Sequence, residues 1–571
     1  MCGIYLYLSS DPVTGLQTKA CSQKANKIKH RGPDATRVLN FSRAVAVFHR
    51  LSIVDPTSDS MQPFIRTVSN EEWVCMVNGE IYNYKDLYQK IDPEYKPKSH
   101  SDCEVVLSLF LTLRKRGVRL AISELNTMLD GEYAVVLYNS TYNYSIAFTD
   151  ELRIRPLFLS YDYKIGQQYT EFVIASEQKA CGQNAMPILP GNMVICGNIY
   201  LIDNPRVNYK QDFNINQFPI SVPESKIRFN SFENAADTLR DLLVLNVHNK
   251  LHPDRNYGFL LSGGIDSSLI CGIASRYCKD HGLPRIRTFT VGFSAEASDI
   301  IAARLVALHI DSVHSEIIVP YSTGVDLVPG VICAIESWDQ TSVRASIPMM
   351  IAAQYIKKQH PEIAVIYSGE VADELLRGYL YNKKQVSPEE ICADMSKRLY
   401  DISMFDGLRA DRVIASVGME LRLPFFSKKL LDFAFSLPWE YLDPTANGGV
   451  EKALLRKAFT GTGYIPDQIL HRTKNAFSDA TSIMTAKSGS EWKEMLKLAA
   501  ESNVTEERFN RHREIYPDCK WIQTREDMWY MDLYTACGYN IKAIPYKWLP
   551  SWVDATDSSA TTLGVFSATK L

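Results

Sequence analysis

Along the first 200 positions apolar residues gather in short runs of β-forming type: Ile4–Leu8, Ala44–Phe48, Trp73–Val77, Tyr133–Tyr138, Tyr144–Phe148 and Phe172–Ala175. Runs of this length, broken by polar and turn residues, predict strands. One segment has a different period. Val105, Val106, Leu109, Phe110 and Leu113 recur at helical spacing, which predicts a helix over 102–116 with Ser101 as N-cap and Glu104 at the capping-box position. Many strands with few helices predict stacked antiparallel sheets flanked by helices. Residues 203–232, which include Pro205, Pro219 and Pro223, are polar and irregular and read as a linker. Beyond them the rhythm changes. Strand-like runs Tyr257–Leu261, Arg287–Val291, Val313–Val319 and Ala364–Tyr367 alternate with helical patterns, which predicts a parallel, doubly wound sheet. The Ser/Thr/Ala-rich stretch Asp554–Leu571 reads as a mobile tail, and no internal repeat is visible.

With 571 residues the chain has room for two or three domains. Its 46% hydrophobic and 22% charged content is that of a globular protein, and a net charge of -3 gives no reason to expect nucleic-acid or anionic-membrane binding. The basic cluster Arg114-Lys115-Arg116 precedes Gly117 and reads as a helix end. No apolar run is long enough to span a bilayer and no secretory signal is visible. Twelve cysteines without CxxC pairs argue for a reducing, cytoplasmic setting and against a disulfide framework or Cys-rich zinc site. His248 and His252 stand four apart without a third ligand and read as a polar helix face.

Three features carry chemistry. Cys2 would become the N-terminus on removal of Met1, placing a thiol and an amine of comparable pKa on one residue, the logic of an N-terminal nucleophile. The stretch Ser262-Gly263-Gly264-Ile265-Asp266-Ser267-Ser268 joins an apolar strand to a helical pattern. Converging backbone N–H groups at a helix start make an anion cradle, although the Gly-Lys-Ser/Thr of a Walker A loop is missing. Asp266 beside it offers a hard oxygen ligand for Mg²⁺. A second loop, Ser368-Gly369-Glu370-Val371-Ala372-Asp373-Glu374, follows another strand. Both loops would lie at the carboxyl ends of parallel strands, where ligands bind, and two acids beside a phosphate loop suit metal binding and proton transfer, with a solvated loop carboxylate the alternative reading of Glu374.

Taken in order, the motifs resemble those of glutamine-dependent asparagine synthetases of the class B type over nearly the whole chain. In the first half they are Cys2-Gly3-Ile4, His30-Arg31-Gly32-Pro33-Asp34, His49-Arg50-Leu51-Ser52-Ile53-Val54-Asp55, Asn78-Gly79-Glu80-Ile81-Tyr82-Asn83, Ser101-Asp102-Cys103-Glu104 and Ala175-Ser176-Glu177. In the second half they are the phosphate loop, Glu336-Ser337-Trp338-Asp339-Gln340-Thr341, Arg344-Ala345-Ser346, Arg409-Ala410-Asp411, Glu420-Leu421-Arg422-Leu423-Pro424-Phe425, Glu451-Lys452 and Lys474 with Phe477-Ser478-Asp479. Trp548-Leu549-Pro550-Ser551-Trp552 is similar to eukaryotic members.

The resemblance implies an α/β multidomain protein. An N-terminal nucleophile (αββα) glutaminase domain would span 2–202, a linker 203–232, a doubly wound ATP-pyrophosphatase-type synthetase domain 233–545, and a tail 546–571. It implies an ATP-dependent amide ligase with glutamine, aspartate and ATP as substrates and Mg²⁺ as cofactor, compatible with a homodimer. Cys2 would attack the glutamine amide. Arg50, Ile53, Val54, Asn78, Gly79, Glu80 and Asp102 would bind glutamine, Arg50 at the α-carboxylate and Asp102 at the α-ammonium. Leu260, Val291, Ser368 and Gly369 would contact the nucleotide. Ser262, Gly263, Gly264, Asp266 and Ser267 would cradle pyrophosphate, Asp266 and Asp373 would serve Mg²⁺, and Glu370 and Lys474 would act in catalysis. Arg344 and Lys452 are weaker candidates. Ammonia would attack a β-aspartyl-AMP, reaching it through an apolar tunnel.

The chain departs from the family pattern at Val371-Ala372, where Gly-Ser is usual, at Asn475 (Glu) and Ser427 (Asp), and at Thr149 and Arg153 around Asp150. Val371 lacks glycine's access to φ > 0 and is stiff at χ1, so a slowed synthetase site is one expectation and ordinary activity the other. Rival functions are a β-lactam-forming or peptide-amidating enzyme on the same scaffold, and a silent paralogue that binds glutamine or nucleotide without turnover.

Overall fold

The computed structural model describes the chain except residues 165–167, 191–192, 198–199, 203–228, 252–253, 380–381, 383–386, 473–480, 484–489, 518–520, 541–546 and 548–571. The expected tail, most of the linker, His252, Lys474 and Asn475 therefore lie outside the described residues. The chain divides into two compact units. One holds residues 1–220, 415–420 and 538–543, the other holds 221–414, 421–537 and 544–571.

The first unit contains two six-stranded antiparallel sheets. One runs Met186–Pro187, Phe158–Lys164, Gln168–Ala175, Gly3–Ser9, Ala44–Arg50, Ala35–Asn40. The other runs Tyr200–Ile202, Val194–Gly197, Tyr144–Thr149, Gly131–Asn139, Glu71–Ile81, Phe64–Val68. Strand alternation decides what packs where. Ile4, Leu6 and Leu8 join Val74, Met76 and Val136 in one shared core. Tyr5 and Tyr7 point the other way, with Ala25 and Ile28 at the end of helix Gly15–Asn26. Likewise Cys75, Val77 and Val135 pack with Leu109 and Phe110 of helix Glu104–Leu113. The order is helix, sheet, sheet, helix, and each predicted strand of this half falls within an observed one.

The predicted helix start is corrected. The α-helix begins at Glu104 with Cys103 at the cap and no side-chain cap bond, and ends at Leu113 before a 3₁₀ turn, Arg114–Arg116. Glu104 does not reach back to Ser101. Its carboxylate accepts from the Lys98 and Ser99 amides at 2.9 and 2.8 Å and pairs with Arg66 at 3.0 Å, which ties down the preceding loop. Gly117 closes the turn at φ 105°, as the stop signal requires.

The second unit is built on a five-stranded sheet in the order Val313–Ile318, Arg287–Gly292, Asn256–Leu260, Ile363–Tyr367, Glu420–Arg422. The first four strands pair in parallel. Strand order reverses beside Asn256–Leu260, the switch point at which open α/β sheets bind ligands. The cysteine reading is corrected here. Cys333, in helix Tyr321–Ile335, and Cys537, just after helix Arg525–Ala536, form a disulfide across a separation of 204 residues, because the fold brings their Cα atoms to 5.8 Å. His248 packs over the Tyr277 ring at 4.6 Å. Among the described residues no cluster of three or more His, Cys, Asp or Glu could hold a metal, and no helix is long and apolar enough to cross a membrane.

Candidate active sites

In the first unit Cys2 leads directly into strand Gly3–Ser9. Its N–H donates to Asn78 Oδ1 at 2.7 Å, and its Sγ donates to the Leu51 carbonyl at 3.7 Å. Asn78 lies on the neighbouring sheet, in strand Glu71–Ile81, and is fully buried. Its Nδ2 has no hydrogen-bond partner, an orphan donor of the kind that stabilises a developing oxyanion. Gly79 follows at φ 143°. A Cβ there would stand 1.9 Å from the Glu132 carbonyl, so no other residue fits. Asp102 Oδ2 accepts from the Ile81 amide at 2.8 Å and faces Cys103 Sγ at 3.7 Å; both residues are buried, as are Glu80, Ile53 and Val54.

The buried Arg50 guanidinium is anchored by its own loop. Its Nη1 donates to the Thr57 carbonyl at 2.7 Å, and its Nη2 donates to the Asp55 carbonyl and to Ser60 Oγ, so it also binds the loop at 55–60. Arg31, quoted in a motif without a role, is a positioning residue. Its Nε donates to the Cys2 carbonyl at 3.1 Å and its Nη1 pairs with Glu177 at 2.7 Å. Burial works against ionised Glu177, but Lys179, His30 and Arg31 hold it well below the usual carboxylate range. Met1 is buried, with its Sδ against Arg155 and Arg31. Burial pushes the Cys2 thiol up and the α-amine at Met1 down.

The substitutions near Asp150 are accommodated. Arg153 adopts φ 52° where the family has Gly, donates to the Leu157 carbonyl at 3.0 Å and lies 4.8 Å over the Phe158 ring. Asp150, pushed up to about 7 by burial, accepts from the Tyr133, Leu152 and Ile154 amides.

In the second unit strand Asn256–Leu260 feeds the loop at 261–264 and then helix Ile265–Asp280. Gly263 takes φ 73°, and a Cβ there would meet Ala302 at 2.4 Å. Ser262 Oγ and Ser267 Oγ lie 3.0 Å apart across the loop. The Gly369 turn packs on the helix start: a Cβ on Gly369 would come within 2.9 Å of the Ser267 amide nitrogen. Ser368, Gly369, Leu260 and the buried Val291 thus sit at the carboxyl ends of adjacent strands.

Glu370 Oε1 pairs with Arg409 at 3.0 Å. Asp266 and Asp373 converge on the Lys452 ammonium, 2.6 and 2.5 Å away. Lys452, one of the two weaker candidates from the sequence, is thus brought onto both acids. Arg344 makes a bidentate buried pair with Glu526, at 2.8 and 2.6 Å. The alternative of a solvated Glu374 does not hold. It is buried and accepts from Tyr379 Oη at 2.5 Å, and burial, with Asp406 and Asp373 nearby, pushes it up to about 8.

The departures here have physical accounts. Ser427 caps helix Lys428–Ser436 by accepting from the Leu430 amide at 3.3 Å, a task Asp also performs. Val371 adopts the left-handed conformation, φ 80° and ψ -24°, while 2% exposed. Strain at such a residue costs about 1–3 kcal/mol, and burial of a Val side chain returns roughly 1.5–3 kcal/mol. The backbone bearing Glu370 thus keeps a glycine-like path. Val371→Gly is expected to change folding stability by no more than about 1–2 kcal/mol, because strain and burial offset, and Tm measurement checks it. A large rise in Tm would show instead that strain at Val371 outweighs its burial.

Comparison with known proteins bears on both sites. An asparagine synthase domain model matches residues 238–403 and 393–518, and a glutamine amidotransferase domain model matches residues 1–191. The chain is 33% identical to the glutamine-hydrolysing asparagine synthetase of Gallus gallus, covering 99% of this chain and 98% of that one. It is 33% identical to the Rattus norvegicus protein, over 100% of both chains, and to the Homo sapiens protein, over 99% and 98%. The chain belongs to the glutamine-hydrolysing asparagine synthetase family. The shared length covers both units, and with it both sites.

Proposed function

We propose that this enzyme makes asparagine from aspartate, ATP and glutamine, releasing AMP, pyrophosphate and glutamate. The observation that carries the glutaminase half is Asn78, whose Oδ1 holds the Cys2 nitrogen while its Nδ2 remains an unpartnered buried donor. Residues 2–202 carry glutamine hydrolysis and 233–545 carry synthesis.

In the mature protein Met1 is removed, and the nitrogen held by Asn78 becomes an α-amine. Burial lowers an amine's proton affinity, as it does at Met1, which favours an unprotonated amine that takes the Cys2 thiol proton and returns it to the departing ammonia. The thiolate attacks the glutamine amide. Asn78 Nδ2 and the Gly79 N–H bind the oxyanion, ammonia leaves, and water hydrolyses the thioester. Arg50 engages the glutamine α-carboxylate with its remaining donors, Asp102 takes the α-ammonium, and Glu80, Ile53 and Val54 complete the pocket. Intact-mass measurement of active enzyme is expected to show loss of Met1; quantitative retention would end this assignment.

In the second unit Leu260, Val291, Ser368 and Gly369 hold the nucleotide, and Ser262, Gly263, Gly264 and Ser267 hold its phosphates. Asp266 and Asp373 fit Mg²⁺, which takes one or two carboxylates and shares substrate phosphates, because the two acids meet at one point beside the phosphate loop. The cation would supply charge neutralisation on the phosphates. Glu370, oriented by its ion pair with Arg409, takes the proton released when ammonia attacks the β-aspartyl adenylate, and Lys474 neutralises charge on the leaving phosphate. Nine free thiols among the described residues suit a reducing compartment, and on this ground we place the enzyme in the cytoplasm.

The test is product analysis with ATP, Mg²⁺ and aspartate, supplied with glutamine or ammonium. Asparagine, AMP and pyrophosphate in equal amounts are expected with either nitrogen source. Ligand binding with neither glutamate nor AMP released would make the chain a silent binder.

A further inference from the structure

The Lys452 ammonium contacts both Asp266 carboxylate oxygens at 2.6 Å and Asp373 Oδ1 at 2.5 Å. The lysine side chain is 1% exposed. These are the two acids to which the preceding section assigns the divalent cation, and the inference rests on that assignment. Mg²⁺ binds carboxylate oxygens at about 2.0–2.1 Å. A cation bridging these same oxygens would fall within roughly an ångström of Nζ, so ammonium and metal cannot occupy the position together.

The surroundings are built for the lysine. Lys452 caps helix Ala453–Phe459 from a left-handed conformation, φ 53° and ψ 35°, which is uncommon for a non-glycine residue and recurs at functional sites. Gly378 leaves room for the pair: a Cβ there would lie 2.0 Å from Lys452 Cε and 2.1 Å from Asp373 Oδ1. The neighbouring acid, Glu451, is engaged by Arg456 at 2.8 Å.

We propose that Lys452 is an internal counter-ion that holds the divalent-cation position between Asp266 and Asp373, and that metal enters with the nucleotide by displacing it. Two carboxylates this close, one buried and one half-buried, would repel each other and lose their convergence without a cation; the ammonium keeps them in place. When the metal takes its position, the ammonium sits on a flexible four-carbon stem beside the phosphate loop and turns to the nucleotide phosphates. Metal affinity is thereby coupled to nucleotide, because metal alone must displace a lysine that gains no new partner, whereas metal with ATP brings the phosphates that receive it.

The experiment is titration of Mn²⁺, read by the paramagnetic resonance of free Mn²⁺, on full-length wild type and Lys452→Met, with and without ATP. Lys452→Gln, whose amide still donates to a carboxylate, serves if the methionine variant does not fold. Wild type is expected to bind Mn²⁺ tightly only with ATP. The variant is expected to bind Mn²⁺ alone about tenfold or more tighter than wild type, and its Tm to rise with Mn²⁺ while that of wild type does not. Equal binding of Mn²⁺ alone to both proteins overturns the inference and leaves the metal assignment standing. If neither protein binds Mn²⁺ even with ATP, both fall.

Discussion

Cys2→Ala is expected to reduce glutamine-dependent asparagine synthesis by on the order of 10⁴-fold or more, the scale seen when a catalytic nucleophile is removed, and to leave ammonium-dependent synthesis within about twofold of wild type. Glutamate release should vanish with it. Cys103 is not expected to stand in for Cys2. Cys103 lies beside Asp102 and the Gly79 carbonyl, but burial and the adjacent Asp102 and Glu80 raise its thiol far above neutrality. The change removes a single sulfur and leaves the strand Gly3–Ser9 and its partners intact. The residues assigned to synthesis all belong to the second unit, so that reaction keeps its machinery. Loss of ammonium-dependent synthesis in a folded Cys2→Ala protein would contradict the division of labour.

Asp266→Asn should give the converse. Synthesis from either nitrogen source is expected to fall by on the order of 10²–10³-fold, since one of the two carboxylates assigned to the phosphate-neutralising cation is lost. Glutaminase activity should persist. The variant should fold, because Lys452 keeps Asp373 as a partner at 2.5 Å and the local charges then balance one to one. A Tm within a few degrees of wild type, with glutamate still released from glutamine and no AMP formed from ATP, is the expected pattern. AMP formation at the wild-type rate would remove Asp266 from the site.

Much of this was visible in the order of residues. Strands of the first half show as apolar runs because both their faces are buried, as in Ala44–Arg50 and Gly131–Asn139, where every residue is buried. The phosphate loop shows because its signal is local. A strand, two glycines and a helix start lie within about fifteen residues, and each constrains the backbone by itself. The reading failed where a local rule met a distant competitor. Glu104 has the spacing of a capping box, but its carboxylate finds Arg66 and the amides of Lys98 and Ser99 instead. Glu374 looks like a loop acid on a solvated turn, yet it is buried with Tyr379 as its donor. At Val371 the residue type argued against φ > 0, and tertiary packing imposes that conformation regardless.

By itself the sequence determined the two rhythms of the chain, the anion loop, the set of chemically competent side chains and the family to which they belong. All of these depend on residue type and short spacing. Tertiary structure alone decided which groups meet: Cys2 with Asn78 across 76 positions, Lys452 with Asp266 across 186, and Cys333 with Cys537 across 204. The physical reason is that closing a long loop costs only slightly more than closing a short one. Separation along the chain therefore says little about which distant partners pair, and burial of the surrounding core settles it.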